Sequence, residues 1–205
     1  MAPSRNTSSR MSGMSPNPRQ PRQRRSRIDS MCRKCLLCKV TERSADHALQ
    51  GVTVYRAIKY SKSNIGDWIC LPGAGGGLGH LAVQYAVAMG LRVLAIDSGA
   101  EKKELVTRLG AEAWVDFKET KDLVADIKAA TGGQGPHTAV VTAATGKAYE
   151  QAIDYLRPGG TLMVVGLPAR ATLSADILFT VVKSINIIGS YVGCVSMLLS
   201  LRGLC

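Results

Sequence analysis

Residues 67–90 read DWICLPGAGGGLGHLAVQYAVAMG, and the fold turns on how this stretch is parsed. Trp68 to Leu71 is a short apolar run closed by Pro72, the pattern of a buried strand. Residues 78–89 are almost wholly apolar, too long for one strand and rich in Ala, Leu and Met, which suits a buried helix ended by Gly90. Between them lie Gly73, Gly75, Gly76, Gly77 and Gly79. A strand, a glycine-rich turn and a helix can aim unpaired helix-end N–H groups at a phosphate and let it approach bare backbone. Two registers come near the G-x-G-x-x-G pattern: Ala74, Gly76 and Gly79, or Gly77, Gly79 and Ala82 in its Ala-ending form. The same glycines would also serve a turn that only lets helix and sheet pack closely.

The next strand candidate, RVLAID, ends in Asp97, 18 positions beyond Gly79 (97 − 79). A carboxylate at the tip of the second strand accepts hydrogen bonds from both hydroxyls of an adenosine ribose and repels a 2′-phosphate, so Asp97 favours NAD over NADP. Lys102, in the first turn of the following helix, can close over the adenosine side as a cation.

Outward from this unit the alternation continues. GVTVYRAIKY (51–60) reads as a helix before the first strand. EKKELVTRLG, DLVADIKAAT, AYEQAIDYLRPGG and ADILFTVVKS read as helices that separate AWVDF, TAVVTAA, TLMVVGL and INIIGSYV. Six nearly continuous apolar strands, starting near 68, 93, 113, 138, 161 and 186, imply an α/β fold: a doubly wound parallel sheet with helices on both faces. VVGLP (164–168) and GSYVG (189–193) then lie at the carboxyl edge of the sheet, where the nicotinamide half of a dinucleotide would sit.

Charge separates the ends from this core. Of the net +11, residues 1–46 hold 11 basic and 3 acidic groups, which leaves 15 and 12 (26 − 11 and 15 − 3) for the remainder. Residues 1–31 are rich in Ser, Arg and Pro, contain no aromatic residue and reach a first acidic residue only at Asp29, so disorder is expected. The basic composition raises nucleic-acid attachment and a mitochondrial presequence as further roles. The prolines Pro16, Pro18 and Pro21 oppose the amphipathic helix a presequence needs, and none of the nucleic-acid recognition folds is present. With no signal-peptide core and no apolar run of membrane-spanning length, a cytoplasmic chain is the expectation.

Cys32, Cys35 and Cys38 form a C-x2-C-x2-C run whose thiolates can converge on a zinc ion, but no fourth cysteine follows before Cys70; Asp46 or His47 would have to complete the shell. His80 can face either the cofactor cleft or the helix surface, and no triad, zinc-protease motif or catalytic carboxylate pair is found.

The segments GVTVYRAIKYSKSNIGDWICLPGAGGGLGHLAVQYAVAMGLRVLAID, GAEAWVDFKETKDLVADIKAATGGQGPH, AYEQAIDYLRPGGTLMVVGLP and IIGSYVG resemble the cofactor domain of fungal zinc-dependent alcohol dehydrogenases, within the medium-chain dehydrogenase/reductase family. The resemblance covers residues 51–193. It implies NAD as cofactor, with Gly76, Gly77 and Leu78 at the pyrophosphate, Asp97 and Lys102 at the ribose, and Val165, Gly166, Leu167, Ser190 and Val192 bordering the nicotinamide. It implies that Cys32, Cys35 and Cys38 are an incomplete structural-zinc set in a lobe remnant at 32–50, with Asp46 in the fourth position. Leu49 stands where the family has a catalytic-zinc cysteine. Residues 194–205 resemble nothing in the family. The resemblance therefore implies a fragment of an alcohol dehydrogenase that lacks most of the catalytic domain and is inactive alone. An alternative expectation is a noncatalytic NAD-binding protein, homo-oligomeric or associated with full-length dehydrogenase subunits through its last strand.

Overall fold

The computed structural model describes the backbone of residues 45–193 and the side chains from residue 49 onward. The tail 1–31, the cysteines Cys32, Cys35 and Cys38, and residues 194–205 lie outside the described residues. Helix α1 (Ala45–Tyr60) leads into β1 (Trp68–Pro72), α2 (Gly79–Ala88), β2 (Arg92–Asp97), α3 (Ala100–Arg108), β3 (Ala113–Asp116) and α4 (Leu123–Ala130). The chain continues through β4 (Thr138–Val141), α5 (Gly146–Tyr155), β5 (Thr161–Val164), α6 (Ile177–Val182) and β6 (Asn186–Gly189).

The six strands form one sheet in the order β3-β2-β1-β4-β5-β6, with every neighbouring pair parallel. This is the doubly wound sheet expected from the alternation. It works because the inner strands β1, β2, β4 and β5 are buried on both faces. Ile69 and Leu71 of β1 join Val93, Ala95, Val140 and Met163 under α1, α2 and Val106 of α3. Trp68 and Cys70 point the other way and join Leu94, Ile96, Ala139, Val141 and Leu162 under α4 and α5. Alternate residues of one strand therefore serve two cores, and a fully buried Ile or Leu in either contributes roughly 1.5–3 kcal/mol. Burial among these apolar groups pushes the Cys70 thiol up to about 12, against a weaker opposing effect of Tyr155, so Cys70 is a neutral core residue.

Helix α1 begins at Ala45, six residues before the start read from the sequence, so Gly51 lies inside it. Gly51 belongs there for a packing reason: a Cβ on it would come within 2.7 Å of Tyr85 Oη, and its absence lets α1 approach α2. Strand β4 ends at Val141, short of the TAVVTAA expected. The N–H groups of Thr142 and Ala143 both turn to Pro72 O at 3.1 Å, and Thr142 Oγ1 joins them at 2.9 Å. The chain runs outward from β1 to β3 and then returns to β4 on the other side of β1, so the carboxyl ends of β1 and β4 mark the topological switch point, where ligands of such sheets bind.

Candidate functional site

The site is built on the turn between β1 and α2. Gly73 has φ +84°, a conformation reserved in practice for glycine, and a Cβ there would lie 2.9 Å from Ala143 N. At Gly79 the constraint is tighter, since a Cβ would fall 2.0 Å from Gly73 O and 2.6 Å from Ala74 Cα. The two glycines that geometry requires are therefore Gly73 and Gly79. Gly76 and Gly79, shared with the Ala74, Gly76, Gly79 register, lie in this turn, with the positive φ on the neighbouring Gly73 and Ala74 buried in the core.

Within the turn, Gly76 N–H donates to Gly73 O at 3.0 Å and His80 N–H to Gly76 O at 3.0 Å. The His80 ring folds back on the same Gly76 carbonyl, with Nδ1 2.9 Å away. Among the described residues, the N–H groups of Gly77, Leu78 and Gly79 have no acceptor. Three adjacent unpaired donors at the start of α2 can hold a pyrophosphate without any side chain in the way.

Asp97 ends β2, and its side chain is buried. Oδ2 accepts Gly75 N–H at 2.9 Å; Oδ1 accepts Ser98 N–H at 2.8 Å and Lys102 Nζ at 2.7 Å. A carboxylate offers about four acceptor positions, so three contacts leave one open. Lys102, whose side chain is half exposed, is the partner most easily displaced. Its stem crosses directly over Gly75, where a Cβ would meet Lys102 Cβ, Cγ and Cδ at 2.7 Å. Gly75 thus gives the lysine its path to Asp97.

A cleft of about 560 Å³ opens at the switch point, bordered by Gly73, Gly76, Asp97, Lys102, Phe117 and Thr142. Its size is that of a small-molecule site. Ile96 and Leu123 add apolar lining, and Phe117 is half exposed at its mouth. Sequence reading passed over Thr142, Phe117 and Leu123. Thr142 could have been found from its place directly after the fourth strand, at the switch point; Phe117 and Leu123 carry no motif.

The residues expected on the nicotinamide side lie farther along the carboxyl edge and do not border this cleft. Val165 and Gly166 are buried and Leu167 is 75% exposed. Gly166 sits where a Cβ would strike Ala143 O at 2.5 Å, and its carbonyl accepts Tyr149 Oη at 2.6 Å. Burial raises the Tyr149 phenol above its ordinary value, so it remains a donor. Ser190 joins this edge through its N–H on Val164 O at 2.9 Å, while its buried Oγ has no partner among the described residues. Val192 O accepts Arg56 Nη1 of α1 at 2.8 Å.

The donors suit a dinucleotide: a cradle that a Cβ would fill, unpaired amides, a strand-end carboxylate with room for a hydroxyl, and an orphaned serine hydroxyl farther along. They do not suit zinc. Among the described residues no group of three His, Cys, Asp or Glu could hold a metal ion, and no described helix is long and apolar enough to cross a membrane.

Residues 77–200 match the family described as zinc-binding dehydrogenase, which takes in more than half of the chain. Over 143 residues the chain is 54% identical to an alcohol dehydrogenase of Schizosaccharomyces pombe, an alignment covering 70% of this chain and 41% of that protein. Among solved structures, it is similar to an alcohol dehydrogenase from the hyperthermophilic archaeon Aeropyrum pernix, with TM-score 0.70, 30% identity, and coverage of 76% of this chain and 45% of that one. It is also similar to an acetophenone reductase from Geotrichum candidum in complex with NAD, with TM-score 0.64, 26% identity, and coverage of 76% and 42%. The chain spans less than half the length of each of these proteins.

Proposed function

Because this chain belongs to the zinc-binding dehydrogenase family, we propose that residues 51–193 are the NAD-binding domain of a zinc-type alcohol dehydrogenase. The family reaction is the oxidation of an alcohol to an aldehyde or ketone with hydride transfer to NAD+. The observation that carries this reading is the meeting, at one cleft, of the glycine turn and the Asp97 carboxylate. The amides of Gly77, Leu78 and Gly79 take the pyrophosphate, with Gly76 beneath it. Asp97 takes the ribose hydroxyls, Lys102 swings aside over them, and Ile96, Phe117 and Leu123 form the slot for the adenine. Val165, Gly166, Leu167, Ser190 and Val192 border the nicotinamide, with the Ser190 hydroxyl free to bond its carboxamide.

Bound NAD supplies a hydride acceptor; polarising the alcohol is a separate requirement, which the family meets with zinc. The described residues do not fit that ion, and Leu49 cannot replace a thiolate ligand. Our reading is that this domain binds NAD without turning alcohol over unaided. Calorimetry of the 205-residue chain with NAD+, alongside an assay for NADH formation from ethanol, tests both parts. Saturable binding with no NADH is expected; no heat at millimolar NAD+ would remove the cofactor reading, and zinc-dependent NADH formation would remove the inactivity.

One observation favours the reading of a protein that associates with copies of itself or with full-length subunits. Among the described residues strand β6 is an edge strand, and beside it Ile177, Leu178, Val181 and Val182 of α6 and Tyr191 are each about 70–80% exposed. An unpaired edge flanked by apolar side chains is a pairing surface. Substituting Ile187 with lysine on β6 is expected to shift the chain toward the monomer in sedimentation velocity, and an unchanged distribution would place any association elsewhere.

A further inference from the structure

The loop that follows Asp97 is held by a second carboxylate that the cofactor reading has not used. In the β2–β3 ladder Asp97 is paired with Asp116, so two acids stand side by side at the carboxyl edge. Asp116 Oδ2 accepts Gly99 N–H at 3.1 Å, and Oδ1 accepts Lys118 N–H at 2.9 Å. The backbone N–H of Lys118, with that of Gly99, holds the Asp116 carboxyl below the ordinary carboxylate range, so the group is an anion at neutral pH. Gly99 is the residue before α3, and its φ of +102° turns its N–H toward β3. Next to it, a groove of about 450 Å³ is bordered by Ser98, Lys103, Trp114, Asp116, Lys118 and Glu119.

Ser98 and Gly99 follow Asp97 directly, and Ser98 N–H donates to its Oδ1, so the 2′ side of a ribose held by Asp97 would border this loop. A 2′-phosphate would need donors there, and three are close at hand: Gly99 N–H at the start of α3, Lys103 and Lys118. Asp116 occupies the amide, and with Glu119 on the same groove it balances the charge of the two lysines.

We propose that Asp116 is a second determinant of the choice between NAD and NADP, withholding the Gly99 N–H and repelling a 2′-phosphate from the groove beside Asp97. The inference rests on the cofactor reading above and extends it from the ribose hydroxyls to the phosphate that must be refused.

The test uses the 205-residue chain and two small probes, 5′-AMP and 2′,5′-ADP, titrated calorimetrically so that no turnover is needed. Asp116→Asn is expected to tighten 2′,5′-ADP by about tenfold, as expected for lifting one charge near a doubly charged phosphate at a protein surface. It should leave 5′-AMP within about threefold, below half the energy of a tenfold change. Adding Lys103→Gln to that variant should take back part of the gain. An unchanged ratio of the two affinities, with 5′-AMP still bound, would overturn the proposal. Loss of 5′-AMP binding in both Asp116→Asn and Asp116→Ser would do so too, because Asp116 would then only hold the turn. If the unsubstituted chain binds neither probe, the cofactor reading itself fails and takes this inference with it.

Discussion

Alanine at Gly79 is expected to abolish measurable NAD binding and to lower the melting temperature together. The added methyl would sit 2.0 Å from Gly73 O, a backbone atom that cannot rotate away. Either α2 moves off the turn or the turn opens. Overpacking of this kind costs about 3 kcal/mol in a domain of this size, a fall of roughly 6–12 °C in melting temperature. In both outcomes the amides of Gly77, Leu78 and Gly79 lose their common aim. Loss of two charge-assisted hydrogen bonds weakens NAD by about 100-fold or more. Alanine at Gly77 is the control for stability alone, because its Cβ would find nothing nearer than Gln50 Oε1 at 3.5 Å. Calorimetry of the Gly79 variant and melting curves of both check the expectation, and equal melting temperatures or unchanged NAD binding at Gly79→Ala would refute it.

Asp97→Ala should have a comparable effect on binding with a smaller one on stability. The side chain holds the N–H groups of Gly75 and Ser98, so its removal unpairs two donors around a buried site and costs roughly 1–3 kcal/mol. The Lys102 contact adds little to that sum, because its ammonium is half exposed and finds water instead. Loss of the bonds from the carboxylate to the ribose is expected to weaken NAD by about 100-fold. Lys102→Ala should weaken it far less, or not at all, since the lysine competes with the ribose for Oδ1. A Lys102 variant as damaged as the Asp97 variant would show that the cation holds the cofactor directly.

The order of elements was legible because the sheet is covered on both sides. Runs such as WICL, RVLAID and TLMVV need no alternation to be read as strands, and the Gly and Pro positions between them mark the ends. The start of α1 was not legible, because Gly51 looks like a boundary until Tyr85 is seen to occupy the space of its missing side chain. Which glycines of the turn are indispensable was not legible for a related reason. Spacing counts residues, whereas the turn depends on a positive φ at Gly73 and a carbonyl contact at Gly79, and neither is written in a pattern of letters. Asp97 could be picked out by its place at a strand tip. Its partners Gly75, Ser98 and Lys102, and the parallel part played by Asp116, depend on loop geometry. Thr142 and Phe117 reach the cleft only because β4 and β3 end beside it.

The bond from Arg56 to the Val192 carbonyl joins α1 to the segment after β6 across 136 residues. During synthesis, at about 5–20 residues per second, α1 therefore waits roughly 7–27 s for that acceptor to be made. Meanwhile its apolar face, with Val52, Tyr55 and Ile58, can already close on α2. The guanidinium contact is a late latch, set after β6 has been made, and among the described residues it ties the first helix to the segment that follows the last strand.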